Sequence, residues 1–169
     1  GFGKVNLLVA GLLTHLGPNE YIIVICGNNL RLRRILHTAF GRHPQIRILG
    51  YTDHISAYMD ACDVIFTKPG GLTSTEAAVK GIPIIHTKPI PGCEVKNLEF
   101  FTSHGMSVAG RKLSDQISLG QSLLRDRDLQ EEMRGNQKNT LPHNAAENIC
   151  GLLKNLCEKQ DGQSGRSVQ

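Results

Sequence analysis

The feature that most restricts the fold is a strand–turn–helix–strand pattern within residues 63–86. Apolar runs predict strands over 63–66 and 83–86, separated by the turn KPGG at 68–71 and a helix over 74–80. Two buried strands joined in this way form a βαβ unit, whose strands run parallel. Parallel sheets bind ligands beyond the carboxyl ends of their strands, so the glycine-rich turn is the first candidate site.

The same alternation of apolar runs and helical patterns continues along the chain. Further strands are predicted at 21–26, 46–49 and 106–109, and further helices at 2–16, 30–40, 54–61, 94–103, 114–124, 127–137 and 144–158. Uniformly apolar strands that alternate with helices indicate an α/β fold, a Rossmann-like open parallel sheet with helices on both faces. We assign residues 1–158 to this domain and 159–169 to a disordered or frayed tail.

The segment GFG at residues 1–3 has the character of a glycine loop between a strand and a helix. The strand that should precede it is absent, and in a Rossmann-like sheet that strand is central. We therefore expect a sheet that lacks its first strand. Marginal stability, or association into oligomers through the exposed gap, is the expected consequence.

Charge and cysteine content narrow the functional classes. The net charge is +4, and five arginines lie within residues 31–47, but aromatic residues make up only 5% of the chain and Trp is absent. A nucleic-acid-binding role is therefore disfavoured. The basic run is either a solvated helix face or a patch for an anionic membrane surface. Five cysteines without a CxxC pair indicate neither a disulfide framework nor a zinc site, and favour the cytoplasm.

The turn after residue 66 suits a phosphate. Gly70 and Gly71 lack Cβ, so a ligand can approach the backbone N–H groups, while the following helix adds its amides and dipole. The hydroxyl of Thr73 can contribute, and Glu76 could accept hydrogen bonds from ribose hydroxyls. Alternatively, Thr73 to Glu76 form a capping box in which Glu76 bonds back to the helix start.

Other predicted strand ends carry weaker candidates. Glu94 and Asn97 share a helix face and could hold sugar hydroxyls, although Glu is also common in a first helical turn. Tyr51 offers a flat surface for a base, with packing as the alternative. Gly27 and Asn29 follow another strand, where turn chemistry explains both. The seven histidines show no metal spacing, and His54, His86 and His104 are expected to be structural.

Taken together, these segments resemble the C-terminal, nucleotide-sugar-binding half of GT-B glycosyltransferases. The resemblance is strongest to monogalactosyldiacylglycerol synthases and processive diacylglycerol glucosyltransferases. It is carried by DVIFTKPGGLTSTEA, GIPIIHTKPIPGCEVKN, GFGKV, ICGNNLRL and GYTDHISAYMDACD, in order and spacing.

The resemblance implies an inverting transfer of a hexose from a UDP-sugar to a diacylglycerol-type lipid at the cytoplasmic membrane face, without an essential metal or other cofactor. Tyr51 and Thr52 would hold the uracil. The diphosphate would lie at Gly71, Leu72 and Thr73, the ribose at Glu76, and the sugar or phosphate at Glu94 and Asn97. Gly1, Gly3, Gly27 and Asn29 would line the same cleft.

The sequence departs from the family pattern at two points. Cys93 stands where the family usually has Gln. Because a thiol is a poor hydrogen-bond partner, we expect a change in the hydrogen bonding to the sugar hydroxyls or in the choice of sugar. The N-terminal acceptor domain, which carries the catalytic base and the lipid-facing surface in this family, is missing. We therefore expect the chain to bind the donor without turning it over alone.

Two other functions fit the same residues. One is another GT-B enzyme, such as a lipid II-type N-acetylglucosaminyltransferase or a UDP-N-acetylglucosamine epimerase. The other is a non-catalytic nucleotide-binding or assembly module. The motifs KPGG and PIPG favour the glycerolipid enzymes.

Overall fold

The structure is a computed structural model that describes residues 5–142 and 144–164. Its strands are β1 (Ile22–Ile25), β2 (Ile46–Leu49), β3 (Ile65–Thr67), β4 (Ile84–His86) and β5 (Val108–Ala109). Its helices are α1 (Val5–Leu13), α2 (Leu30–Phe40), α3 (Ile55–Asp60), α4 (Gly71–Val79), α5 (Cys93–Ser103), α6 (Leu113–Arg125), α7 (Arg127–Thr140) and α8 (Ala145–Ser164). The predicted order of strands and helices is therefore confirmed.

The strands form two parallel sheets in the described part of the chain. β1 pairs with β2, starting from Ile22 opposite Ile46, and the second sheet has the order β3-β4-β5. In the second sheet Ile65 lies opposite Ile84, and Ile85 opposite Val108. The open parallel sheet expected from the sequence, without its first strand, is thus divided in two, and no hydrogen-bonded ladder joins β1 to β3 within the described residues.

Helices cover both faces of the three-stranded sheet. Ile84 and Ile85 on β4 point to opposite faces because side chains alternate along a strand, and both are fully buried. Ile84 belongs to a cluster with residues of α3, α4 and α5, whereas Ile85 packs with Leu123 of α6 and Met133 of α7. A separate cluster on the β1–β2 sheet joins Val9 of α1, Leu36 of α2 and strand residues. This layering confirms the α/β fold.

Small residues bring α4 close to the sheet. Ala77 and Ala78 are both buried against β4, while the neighbouring Glu76 and Val79 are exposed. The short side chains let the helix backbone approach the strands, which places the amino-terminal end of α4 at the carboxyl end of β3.

The strands that border the division are less covered than the central strand. All three residues of β4 are buried, whereas all three residues of β3 are half-buried, and Ile23 of β1 is 43% exposed. This agrees with a sheet that lacks a strand between β1 and β3. The expected marginal stability and oligomerisation stay predictions.

The carboxyl-terminal part of the chain is helical for longer than predicted. α8 continues to Ser164, so residues 159–164 of the predicted tail are helical, while 165–169 lie outside the described residues. Residues 145–157 of α8 are exposed, including an apolar stripe formed by Ile149, Leu152, Leu153 and Leu156. Among the helices that the structure describes, none combines the length and the apolar character needed to cross a membrane.

The five cysteines are free thiols, of which Cys26 is buried and Cys62 is half-buried. Cys93 is exposed at the first residue of α5.

Candidate functional site

The turn between β3 and α4 presents free backbone amides. Gly70 precedes the helix in an extended conformation, and the first intrahelical hydrogen bond runs from the Ser74 N–H to the Gly70 carbonyl, at 3.1 Å. The N–H groups of Gly71, Leu72 and Thr73 therefore have no acceptor within the helix, as at any helix start. They point beyond the amino-terminal end of α4, where the helix dipole favours an anion.

Both glycines leave this helix end open. A Cβ added to Gly70 would meet nothing within 4 Å, and one added to Gly71 would have only the Asn97 Nδ2 atom nearby, at 3.8 Å. Leu72 is 82% exposed, and Thr73 is half-buried. An anion can therefore approach the backbone directly, as the glycine pair in the sequence predicts.

The structure excludes the capping box as an explanation of Glu76. The helix begins at Gly71, earlier than the predicted start at residue 74, so Glu76 lies in its second turn and is exposed. Its carboxylate cannot reach back to the helix start from there. The capping alternative for Glu76 is therefore removed, and its binding of ribose hydroxyls stays a prediction.

The start of α5 is tied to the β3–α4 turn through an ion pair. The Lys68 Nζ atom lies 2.9 Å from Oε1 of Glu94, and the Ile90 N–H donates to Oε2 of the same carboxylate, at 2.7 Å. The hydrogen bond from Ile90 and then that from Lys68 lower the pKa of Glu94. Glu94 is therefore ionised, and both of its oxygens already have partners.

Asn97 makes the second link between α5 and the same turn. Its Nδ2 atom donates to the Pro69 carbonyl oxygen, at 3.0 Å. Glu94 and Asn97 thus lie on one helix face, as predicted, and both contact the segment that leads into α4. Lys68 was not singled out from the sequence, although its position directly before the glycine turn was a usable signal.

The backbone before α5 depends on glycine. Gly92 has φ 109° and ψ −132°, a conformation that side-chain-bearing residues rarely adopt, and the Val95 N–H donates to its carbonyl at 3.1 Å. Cys93 follows with an exposed side chain at the position where the resemblance expects Gln.

A second group of predicted residues lies at the carboxyl ends of β1 and β2. Gly27 has φ 53°, and the Asn29 Oδ1 atom accepts a hydrogen bond from the Leu32 N–H at 2.9 Å. Asn29 is therefore the N-cap of α2, so the turn-chemistry explanation holds for this side chain. A ligand role for Gly27 and Asn29 stays a prediction.

Tyr51 and Thr52 directly follow β2. The Tyr51 side chain is 69% exposed, which contradicts the packing alternative and leaves the ring accessible to a base. The Thr52 Oγ1 atom accepts from the His54 N–H, at 3.1 Å. The Arg33 guanidinium lies beside Gly50, with Nη1 3.2 Å from the position that a Cβ would occupy, so a cation borders this loop.

The structure therefore brings the predicted residues together in two groups. One group joins the β3–α4 turn with the start of α5, and the other joins the ends of β1 and β2. Gly1 and Gly3 lie outside the described residues. Within the described parts of the chain, no cluster of three or more His, Cys, Asp or Glu side chains is placed to hold a metal ion.

A concavity with a volume of about 770 Å³ lies away from these two groups, between the end of α6 and the start of α7. It is lined by Ser118, Gln121, Ser122, Arg125, Asp126, Arg127 and Asp128. None of the predicted site residues borders it. The candidate loops form an open edge rather than this concavity.

Comparison with known proteins identifies sequence relatives. A processive diacylglycerol β-glucosyltransferase of Bacillus pumilus is 34% identical over 141 residues, which cover 83% of this chain and 36% of that protein. The corresponding protein of Staphylococcus carnosus is 35% identical over 121 residues, covering 72% of this chain and 31% of the relative. No protein-family model matches the sequence. The chain thus spans about a third of the length of these relatives.

Solved structures share the fold. MurG of Acinetobacter baumannii superposes with a TM-score of 0.71 at 20% identity, over 89% of this chain and 45% of that one. A Staphylococcus aureus MnaA–UDP structure gives a TM-score of 0.74 at 16% identity, over 93% and 43%. These likenesses confirm the Rossmann-like domain of GT-B proteins, and the sequence relatives confirm the glycolipid glycosyltransferase resemblance.

Proposed function

Because the chain is a homologue of the processive diacylglycerol β-glucosyltransferases, we propose that it is the donor-binding part of such an enzyme. It would bind the UDP-sugar from which an inverting transferase moves a hexose to a diacylglycerol-type lipid. The observation that carries this proposal is the open end of α4 at the carboxyl end of β3, where the N–H groups of Gly71, Leu72 and Thr73 have no acceptor within the helix. The chain spans about a third of its relatives, so turnover is proposed to require the rest of the enzyme.

The diphosphate is proposed to bind at the amino-terminal end of α4. Backbone N–H groups and the helix dipole favour a dianion there without a metal ion. As the glycosidic bond breaks, negative charge grows on the departing UDP, and preorganised amides stabilise that charge without reorganising. The domain would thereby contribute positioning and electrostatic stabilisation.

The remaining donor groups are proposed to follow the two clusters of loops. Tyr51 and Thr52 would take the uracil, and Glu76 the ribose hydroxyls. Glu94 and Asn97 would take the sugar, and to do so their present hydrogen bonds to Lys68 and Pro69 must rearrange or be shared. Lys68 would then be released beside the diphosphate, where its charge is favourable.

The identity of the donor sugar is also a proposal. The name of the relatives favours UDP-glucose over UDP-galactose, which a monogalactosyldiacylglycerol synthase would use. UDP-N-acetylglucosamine is the alternative donor, which the lipid II-type transferases and the epimerases weighed from the sequence would use. Competition of these three nucleotide sugars for the UDP site separates the possibilities.

Contact with an anionic membrane surface is a further part of the proposal. Its support is the segment from α2 to β2, where the arginines at 31, 33, 34, 42 and 47 are all exposed. A charged surface of this kind would hold the donor domain near a lipid acceptor at the cytoplasmic face. Binding to vesicles that contain phosphatidylglycerol, compared with neutral vesicles, tests it.

Calorimetric titration of UDP into the chain tests the donor site. We expect saturable binding that weakens by about 1–3 kcal/mol in Glu76→Ala, because a charged hydrogen-bond acceptor is lost. Glu131→Ala is the matched control, since Glu131 is an exposed helical glutamate on α7, away from the candidate loops. A folded chain that does not bind UDP, or equal losses in the two variants, contradicts the proposed site.

A further inference from the structure

A buried histidine connects the candidate phosphate-binding helix to the centre of the sheet. His86 is the last residue of β4 and is fully buried. Its Nε2 atom lies 3.0 Å from Oγ of Ser74, and its Nδ1 atom lies 2.9 Å from Oγ of Ser107. Both serines are buried as well, so each ring nitrogen has a single enclosed partner.

The imidazole is neutral in this setting. Burial lowers the pKa of His86 to about 4, and no charged group contributes to that shift. A neutral imidazole carries one N–H, so one serine must donate to the ring and the other must accept from it. The ring also forms a T-shaped contact with Phe101 of α5, with 5.5 Å between the ring centres. The histidine is thereby fixed from three sides.

Ser74 lies where the first turn of α4 closes. Its N–H donates to the Gly70 carbonyl, and its side chain reaches His86. Pro69 before the glycines is buried and its carbonyl accepts from Asn97, but Gly70 and Gly71 have no side chain and Leu72 is 82% exposed. The Ser74–His86 hydrogen bond therefore ties the helical end of this turn directly to β4, whereas Lys68 and Pro69 tie its first residues to α5.

We propose that His86 is a positioning residue for the donor site, which holds the amino-terminal end of α4 in place through Ser74. The inference rests on the proposed UDP site, because that helix end is where the diphosphate would bind. A free amide stabilises an anion well only when its direction is fixed beforehand. Gly70 and Gly71 make the backbone at the start of α4 permissive. The direction of the free amides therefore depends on contacts such as the Ser74–His86 hydrogen bond.

The two serines provide a matched pair of variants. Ser74→Ala and Ser107→Ala each remove one hydroxyl and one hydrogen bond to the same buried ring, so a role limited to core stability predicts similar effects. In Ser107→Ala the ring keeps its contacts with Ser74 and Phe101. Only Ser74→Ala removes the hydrogen bond between the ring and α4.

The test combines UDP titration with amide hydrogen exchange in the full chain. Ser74→Ala should weaken UDP binding by about three- to tenfold, as the loss of one hydrogen bond implies, and should speed exchange of the amides from Ser74 to Ala77. Ser107→Ala should change the affinity less than about twofold and leave those amides protected. Equal effects of the two variants on both measurements overturn the inference.

Substitution of the histidine gives a second, independent comparison. In His86→Gln the introduced side-chain amide reaches the position of Nε2 and can still bond Ser74. In His86→Asn the shorter side chain places its amide only at the position of Nδ1, towards Ser107. UDP affinity should be retained better in His86→Gln than in His86→Asn, and the reverse order contradicts the inference.

The exchange measurement keeps this inference separate from the proposed function. If the wild-type chain does not bind UDP but Ser74→Ala alone loosens the start of α4, the positioning role stands and the UDP site is wrong. If UDP binds and the two serine variants bind it equally, the UDP site stands and the positioning role is wrong.

Discussion

The neutral state of His86 predicts that mild acid destabilises the fold. The pKa of this histidine is lowered from 6.5 to about 4 by burial, and its contacts are two serines and an aromatic ring. In the unfolded chain the imidazole regains its ordinary pKa. Between pH 6.5 and about 4 the unfolded chain therefore binds a proton that the folded chain does not, so the free energy of unfolding falls as the pH falls.

The size of this effect follows from the difference in pKa. About 2.5 pH units separate the two values, and each unit corresponds to about 1.36 kcal/mol, so the full contribution is about 3 kcal/mol. It is fully present above pH 6.5, and about 2 kcal/mol of it is lost by pH 5. Against a typical stability of about 5–15 kcal/mol, a loss of this size is easily measured.

Urea unfolding at several pH values between about 7.5 and 5 is the appropriate assay, with His86→Gln as the reference protein. Every ionisable group other than His86 is common to both proteins, so the difference between the two curves isolates His86. The lower limit of about pH 5 avoids Glu94, whose pKa is lowered from 4.5 and whose contribution is lost only at more acid pH. A difference between the two proteins that stays constant across this range refutes the reasoning.

The glycines give two predictions of opposite sign. Gly92→Ala should lower the free energy of unfolding by about 1–3 kcal/mol, because the residue has φ 109° and an alanine there is strained. Gly135→Ala should raise it by about 0.5–1 kcal/mol, since this position lies inside α7 and an added Cβ meets nothing within 4 Å. Urea unfolding of both variants checks the two signs, and a destabilised Gly135→Ala or an unchanged Gly92→Ala contradicts this reading of the backbone.

The order of the secondary structure elements was predictable because the strands are short apolar runs between turn residues. The bounds of α2 and β2 agree with the prediction, since Asn29 before α2 and Gly50 after β2 are clear terminal signals. The start of α4 was wrong because a glycine pair is typical of a turn, whereas Gly70 is here the N-cap and Gly71 already helical. A gap in the sheet was expected from the absent first strand, but whether β1 and β3 pair across it depends on contacts that no local pattern records.

In the candidate site, too, features set by adjacent residues were predictable, whereas contacts between residues far apart in the sequence were not. The free amides after β3 were predictable from two adjacent glycines. The ion pair of Lys68 with Glu94 was not, because the two residues are 26 positions apart and each has an ordinary local role. The buried contacts of His86 with Ser74 and Ser107 likewise join segments that only the fold brings together.

The division between the two sheets affects how the molecule unfolds. Within the described residues, α1 packs both on the β1–β2 sheet and against α6, which covers the other sheet. At this contact Gly11 lies so close to Ile117 that an added Cβ would overlap its side chain. A helix crossing, rather than a strand ladder, therefore transmits cooperativity between the halves. Each half can open on its own once that crossing loosens, so unfolding should proceed as two cooperative units instead of a single two-state transition.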